Sequence, residues 1–156
     1  MAPLRPRATA TVLALAGYTI VSAVPFLKYP ANPPGVGDPD TIGRRTALYL
    51  AAIAVSVLSA VVALRVGRAL ARRWEPWYAG VAGLAVYVAL VTAAALALPA
   101  VRVVPEGFPA DILWRFRLAS IGTEACVWTV VGLGFGALAD RLLLPRPRRG
   151  RVVAVE

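Results

Sequence analysis

Glu124 is the residue on which chemistry is most readily built in this chain, because it is the one acid inside a long apolar run, Leu118–Ala139. If that run is helical and enters a hydrocarbon layer at Leu118, Glu124 lies about 9 Å deep at a rise of ~1.5 Å per residue. A charge at that depth is costly unless it is paired or neutralised, so an intramembrane acid is a functional candidate. Two readings stand side by side: Glu124 lies near the interface and snorkels or bonds to a neighbouring helix, or it is a proton or cation site within a bundle. Its own helix offers Arg117, two turns earlier on the same face, with Ser120 between them. Arg117 is too far along a straight helix for direct contact, so Ser120 or a water would have to bridge. Asp111 and Arg115, at i and i+4, are better spaced for a direct pair.

A second set of oxygen ligands lies in two proline-rich segments. Asp38, Asp40 and Thr41 cluster in the first, and Glu106 and Asp111 lie in the second. Carboxylates suit Mg²⁺ or Mn²⁺ better than a selective late transition-metal site, which usually recruits His or Cys. This chain has no His and one Cys, Cys126, whose mid-helix position suits a packed small residue better than a nucleophile or soft ligand. That inventory excludes a disulfide framework, a His-ligated zinc site and a Ser-His-Asp triad. No nucleophile–base pair is visible, so the chain reads as a non-enzyme, and no GxxxxGK[ST] loop is present to bind ATP. The identity of any metal is left open. Asp40 or Thr41 is better read as a helix N-cap than as a ligand. Pro109 and Asp111 read as the first-turn proline and acid of a long fourth helix.

The elements that position these residues follow from composition. Hydrophobic residues are 59% of the 156 and charged residues 16%, too little polar surface for a soluble domain of this size, so lipid solvates much of the chain. A hydrocarbon core of roughly 30 Å takes about 20 apolar helical residues to cross. Four runs qualify, at about 8–26, 46–64, 77–98 and 118–139. The expected fold is all-α, a polytopic membrane protein built as one bundle of four transmembrane helices. Of the 17 Lys and Arg, eleven fall at the N-terminus, in the Arg65–Arg73 loop and in the tail 140–156. The positive-inside rule then puts both termini in the cytoplasm and the loops 27–45 and 99–117 outside. The net charge of +9 is therefore a topological signal and not a nucleic-acid one. Ala52, Ser56 and Ala60 on the second span, and Gly132 and Gly136 on the fourth, are small residues at i+4 spacing that suit helix packing. Packing inside the bundle is favoured over a face for a homo-oligomer.

The tracts VPFLKYPANPPGVGDPDTIGRRTALYL (Val24–Leu50) and VPEGFPADILWRFRLASIGTEA (Val104–Ala125), followed by a Gly-rich apolar run, resemble the CbtA-type cobalt transporter subunit family over about Gly17–Leu144. The resemblance implies a multi-pass protein of the bacterial cytoplasmic (inner) membrane, with cobalt as transported substrate and no permanently bound cofactor. It also implies a small single-span CbtB-type partner, and a chain that lacks the family's N-terminal portion and its frequent histidines. Two alternatives come from other classes. One is a small proton-coupled four-helix exporter, although such antiporters carry their key acid on the first helix. The other is a non-transporting membrane scaffold, whose arginine-rich tail would hold anionic lipid.

Overall fold

The computed structural model describes residues 5–101 and 104–143, and these form helices and loops with no strand among them. Four helices are long and apolar enough to cross a membrane: α1 (Pro6–Lys28), α2 (Ile42–Leu70), α3 (Pro76–Ala97) and α4 (Ala110–Leu143). Most of the expected basic tail, from residue 144 on, lies outside the described residues.

Prolines and polar caps set the helix boundaries. Pro6, Pro76 and Pro109 stand where a helix begins, as suits a residue with fixed φ and no N–H to leave unpaired. A short 3₁₀ turn, Pro39–Thr41, leads into α2. Asp38 caps that turn, its carboxylate accepting from the Asp40 N–H at 3.0 Å while the Thr41 hydroxyl donates to the Asp38 carbonyl at 2.7 Å. Thr41 holds the N-cap position of α2, as expected, but makes no capping side-chain bond; the side chain that caps is Asp38, one turn earlier, at the start of the 3₁₀ turn. At the other end of the chain, α4 starts eight residues before its apolar run and carries Asp111 in its first turn.

The helices associate as two antiparallel pairs, α2 with α3 and α1 with α4, and α1 also touches α2 through its second half. Lipid tails give apolar helices no hydrophobic drive to associate, so close backbone approach and polar contacts must hold each pair. In the α2–α3 pair the buried stripe is Ala52, Ser56, Ser59 and Ala63, facing Ala79, Gly83 and Tyr87. Ala60 is half-buried beside it. A Cβ on Gly83 would come 3.1 Å from the Ala63 carbonyl oxygen, so the two backbones are nearly in contact. The Ser56 and Tyr87 hydroxyls share a hydrogen bond of 2.9 Å at this interface, where Ser56 is 1% exposed.

The α1–α4 pair follows the same rule along most of its length. Arg7 pairs with Asp140 through both its side chain and its backbone N–H, Ala10 faces Gly136, and Ala14 faces Gly132. A Cβ on Gly132 would lie 2.5 Å from that of Ala14, which leaves no room for any other residue. The outward faces carry Leu58, Leu84, Val130, Leu133 and Phe135, all exposed, as a lipid-solvated surface requires.

Two measurements test this packing. Gly132→Leu should destabilise the protein by about 1–3 kcal/mol through overpacking, read as a lower thermal unfolding midpoint in detergent. Gly134→Leu, where an added Cβ meets nothing within 4 Å, should leave the midpoint unchanged. Ser56→Ala and Tyr87→Phe should each cost about 0.6 kcal/mol, typical of an interhelical hydrogen bond in a membrane protein. The double variant should cost less than their sum, because each removes the same bond.

Candidate functional site

A proline in the second half of α1 sets up the site. Pro25 is fully buried, and in a regular α-helix its ring would strike the carbonyl of Val21 four residues back. The helix widens instead into a π segment, Tyr18–Ala23, in which the Val24 N–H bonds to the Thr19 carbonyl five residues earlier. Such widened turns reset the phase of a helix and recur at functional positions. Here the segment carries Ser22, which is buried against α4.

Ser22 faces Glu124 and Trp128. The Trp128 indole N–H donates to the Ser22 oxygen at 3.0 Å, and the Ser22 hydroxyl donates to Glu124 Oε2 at 3.2 Å. An indole can only donate, so it occupies a lone pair of Ser22 and leaves the hydroxyl proton to point at the carboxylate. One turn separates Glu124 from Trp128, and Gly17 makes the arrangement sterically feasible. A Cβ on Gly17 would collide with the Trp128 ring. Tyr18 adds a longer contact, its hydroxyl donating to the Ile121 carbonyl at 3.5 Å.

Above this network lies a cavity of about 810 Å³ between α1, the first turns of α2, α4 and the proline-rich segments. Ser22 and Glu124 line it at the end away from the loops, and Tyr49 lines it from α2. Glu124 Oε1 makes no hydrogen bond among the described residues, so one carboxylate oxygen remains available to a ligand or proton. Glu124 stands near the middle of α4, about 21 Å from the start of the helix at ~1.5 Å per residue. The cavity therefore runs from the proline-rich segments to a carboxylate near the middle of a helix long and apolar enough to cross a membrane.

The other expected site residues fall in different places. Arg117 and Ser120 line the same cavity as Glu124, yet neither hydrogen-bonds to it. Arg117 donates from Nε to the Ala31 carbonyl at 3.3 Å and from its terminal nitrogen to Asn32 Oδ1 at 3.1 Å, tying α4 to the first proline-rich segment. Ser120 donates to the Phe116 carbonyl within its own helix at 2.9 Å. Asp38, Asp40, Glu106 and Asp111 are all exposed and none lines the cavity. Among the described residues no three His, Cys, Asp or Glu gather as a metal cluster, and Arg7–Asp140 is the one ion pair, so Asp111 and Arg115 do not pair. Cys126 is exposed and free.

Sequence reasoning passed over Ser22, Trp128, Tyr49, Lys28 and Arg45. Trp128, one turn after Glu124, carried a legible signal, since i and i+4 side chains share a helix face. Ser22 carried only a faint one, three residues before a proline in an apolar helix.

The arrangement suits passage of a polar solute into a membrane helix pair, with one carboxylate held by a donor and open on its other oxygen. Comparison with known proteins agrees with a transport role. The profile of one family, described as "Probable cobalt transporter subunit (CbtA)", matches residues 1–140. No curated protein and no solved structure gave a match. With that profile covering nearly the whole sequence, and four helices long and apolar enough to cross a membrane, the chain belongs to the CbtA family.

Proposed function

We propose that this protein is an integral subunit of a cobalt uptake system in a bacterial cytoplasmic membrane, and that the cavity above Glu124 is the entrance of its path. The observation that supports the reading is that Glu124, the one acid in the apolar run 118–139, lines the cavity next to the proline-rich segments. Such a carboxylate is costly to keep unless it does work there. The family match supports cobalt as the cargo.

The arginine distribution supports an orientation with both termini in the cytoplasm and the cavity facing out. Solute would enter between the loops, reach Glu124 Oε1 and pass the Ser22–Trp128 contact. No ATP-binding loop of the P-loop type occurs in the sequence, so an energy source of that kind would come from another protein. A small single-span subunit is the partner that the family resemblance suggests.

Cobalt and nickel accumulation tests the reading in cells lacking their own uptake systems, with the chain alone and with a single-span partner. Cobalt accumulation should exceed the empty-vector level. Glu124→Gln, similar in size but uncharged, should reduce it by about tenfold, the effect of ~1.4 kcal/mol on a rate-limiting step. Accumulation unchanged in Glu124→Gln would remove Glu124 from the path. No accumulation in any pairing, with the protein confirmed in the membrane, would favour a scaffold.

A further inference from the structure

The charge of the cavity says more about what enters it. Each helix that frames it contributes one cation: Lys28 from the end of α1, Arg45 from the first turn of α2 and Arg117 from α4. Among the described residues the only carboxylate lining it is Glu124. No cation of the three is in an ion pair, since the one ion pair among the described residues joins Arg7 to Asp140. Arg117 spends its donors on Ala31 and Asn32, but neither partner carries charge. Among the described residues the cavity therefore carries three positive charges toward the proline-rich segments and one negative charge at Glu124, a net excess of two positive charges. Tyr49 and Thr46 add hydroxyls to the same wall.

A hydrated divalent cation is poorly served by that surface. Each unpaired unit charge at ~8 Å lowers the local concentration of a dication by roughly sixfold at a water-like dielectric, before screening by salt. Nor does the cavity offer a ligand set that would recover the loss, because one carboxylate is not a chelating site and no other acid among the described residues lines it. The same three cations attract an anion, and guanidinium and ammonium groups with nearby hydroxyls are the donors that recognise carboxylates.

Resting on the uptake reading above, we infer that cobalt enters this cavity as an anionic complex with a small polycarboxylate, and not as the free aqua dication. Lys28, Arg45 and Arg117 hold the outer carboxylates of the complex. Glu124, at the inner end, presents a protein oxygen to the metal once the complex has passed the cationic mouth.

The test supplies radioactive cobalt to cells that lack their own cobalt and citrate carriers. The full chain is expressed together with its partner. Cobalt is given either as the chloride in a non-chelating buffer or with excess citrate. Accumulation should be at least about fivefold higher from the citrate complex than from the chloride, at equal total cobalt. Lys28→Gln and Arg45→Gln should each lower uptake of the complex by about tenfold. Arg45→Lys, which keeps the charge, should retain most of it. Arg44→Gln, which removes the same charge from a residue that does not line the cavity, should leave uptake unchanged. Membrane levels of every variant are measured in parallel, and Arg45→Lys guards against a folding defect at that position. Uptake from the chloride that equals or exceeds uptake from the complex, or that rises in Lys28→Gln and Arg45→Gln, would overturn the inference and leave the uptake reading standing. Equal uptake in all variants would assign these cations to lipid headgroups and overturn it as well. Absence of uptake from either supply would remove the uptake reading, and this inference with it.

Discussion

The contact on which the rest of the structure depends is the one that Ser22 makes with Glu124. A carboxylate in the middle of an apolar helix needs a donor, and its own helix does not provide one. The donor comes from α1, where Pro25 cannot be accommodated in regular α-helix and the preceding turn widens. That widened turn carries the hydroxyl facing α4, and Trp128 fixes the direction of its proton. Proline, π segment, serine, tryptophan and glutamate thus form one unit: the backbone irregularity that a proline imposes on α1 supplies the polar contact that the acid on α4 requires.

The pairing of helices explains why a cavity exists above that unit. Small residues let α2 lie against α3 and α1 lie against α4, and the second half of α1 joins the two pairs by packing on α2. Near the loop end, α1 and α4 are no longer separated by glycine and alanine alone, since Phe26, Leu113 and Arg117 intervene. The space so opened is flanked by the proline-rich segments, of which Arg117 holds the first through Ala31 and Asn32. The Tyr29 hydroxyl adds a tie to the Pro99 carbonyl at 2.8 Å. Proline supplies stiffness in these segments and the hydrogen bonds supply position, so the mouth of the cavity is built from loops without secondary structure of their own.

Much of this was legible in the amino-acid sequence, and the reason differs by residue. The four spans followed from the length of apolar runs, and their limits followed from Pro76, Pro99 and Pro109, because lipid leaves few alternatives for such segments. Glu124 stood out because a lone charge in an apolar run is costly unless it is paired or neutralised. Its partner was not legible. Spacing along α4 could point only to Arg117 and Ser120, whereas Ser22 is set by the register of two helices 102 residues apart. The acids of the two loops attracted attention as oxygen ligands, yet none of them lines the cavity, and Asp38 is engaged in capping a turn. The cationic lining was equally hidden, since Lys28, Arg45 and Arg117 come from three separate segments and converge only when α1, α2 and α4 assemble.

The central claim is that Glu124, although inside an apolar run of α4, is reached by water from the side bearing the proline-rich segments. Site-directed thiol labelling tests it most directly. In a Cys126→Ser background, Glu124→Cys is exposed to a membrane-impermeant thiol reagent added from that side, with Glu106→Cys as a loop control. The account predicts labelling at both positions, slower at residue 124, and protection there when the cavity is occupied by solute. Labelling of the loop control with none at residue 124, or labelling of residue 124 only from the opposite side, would contradict it.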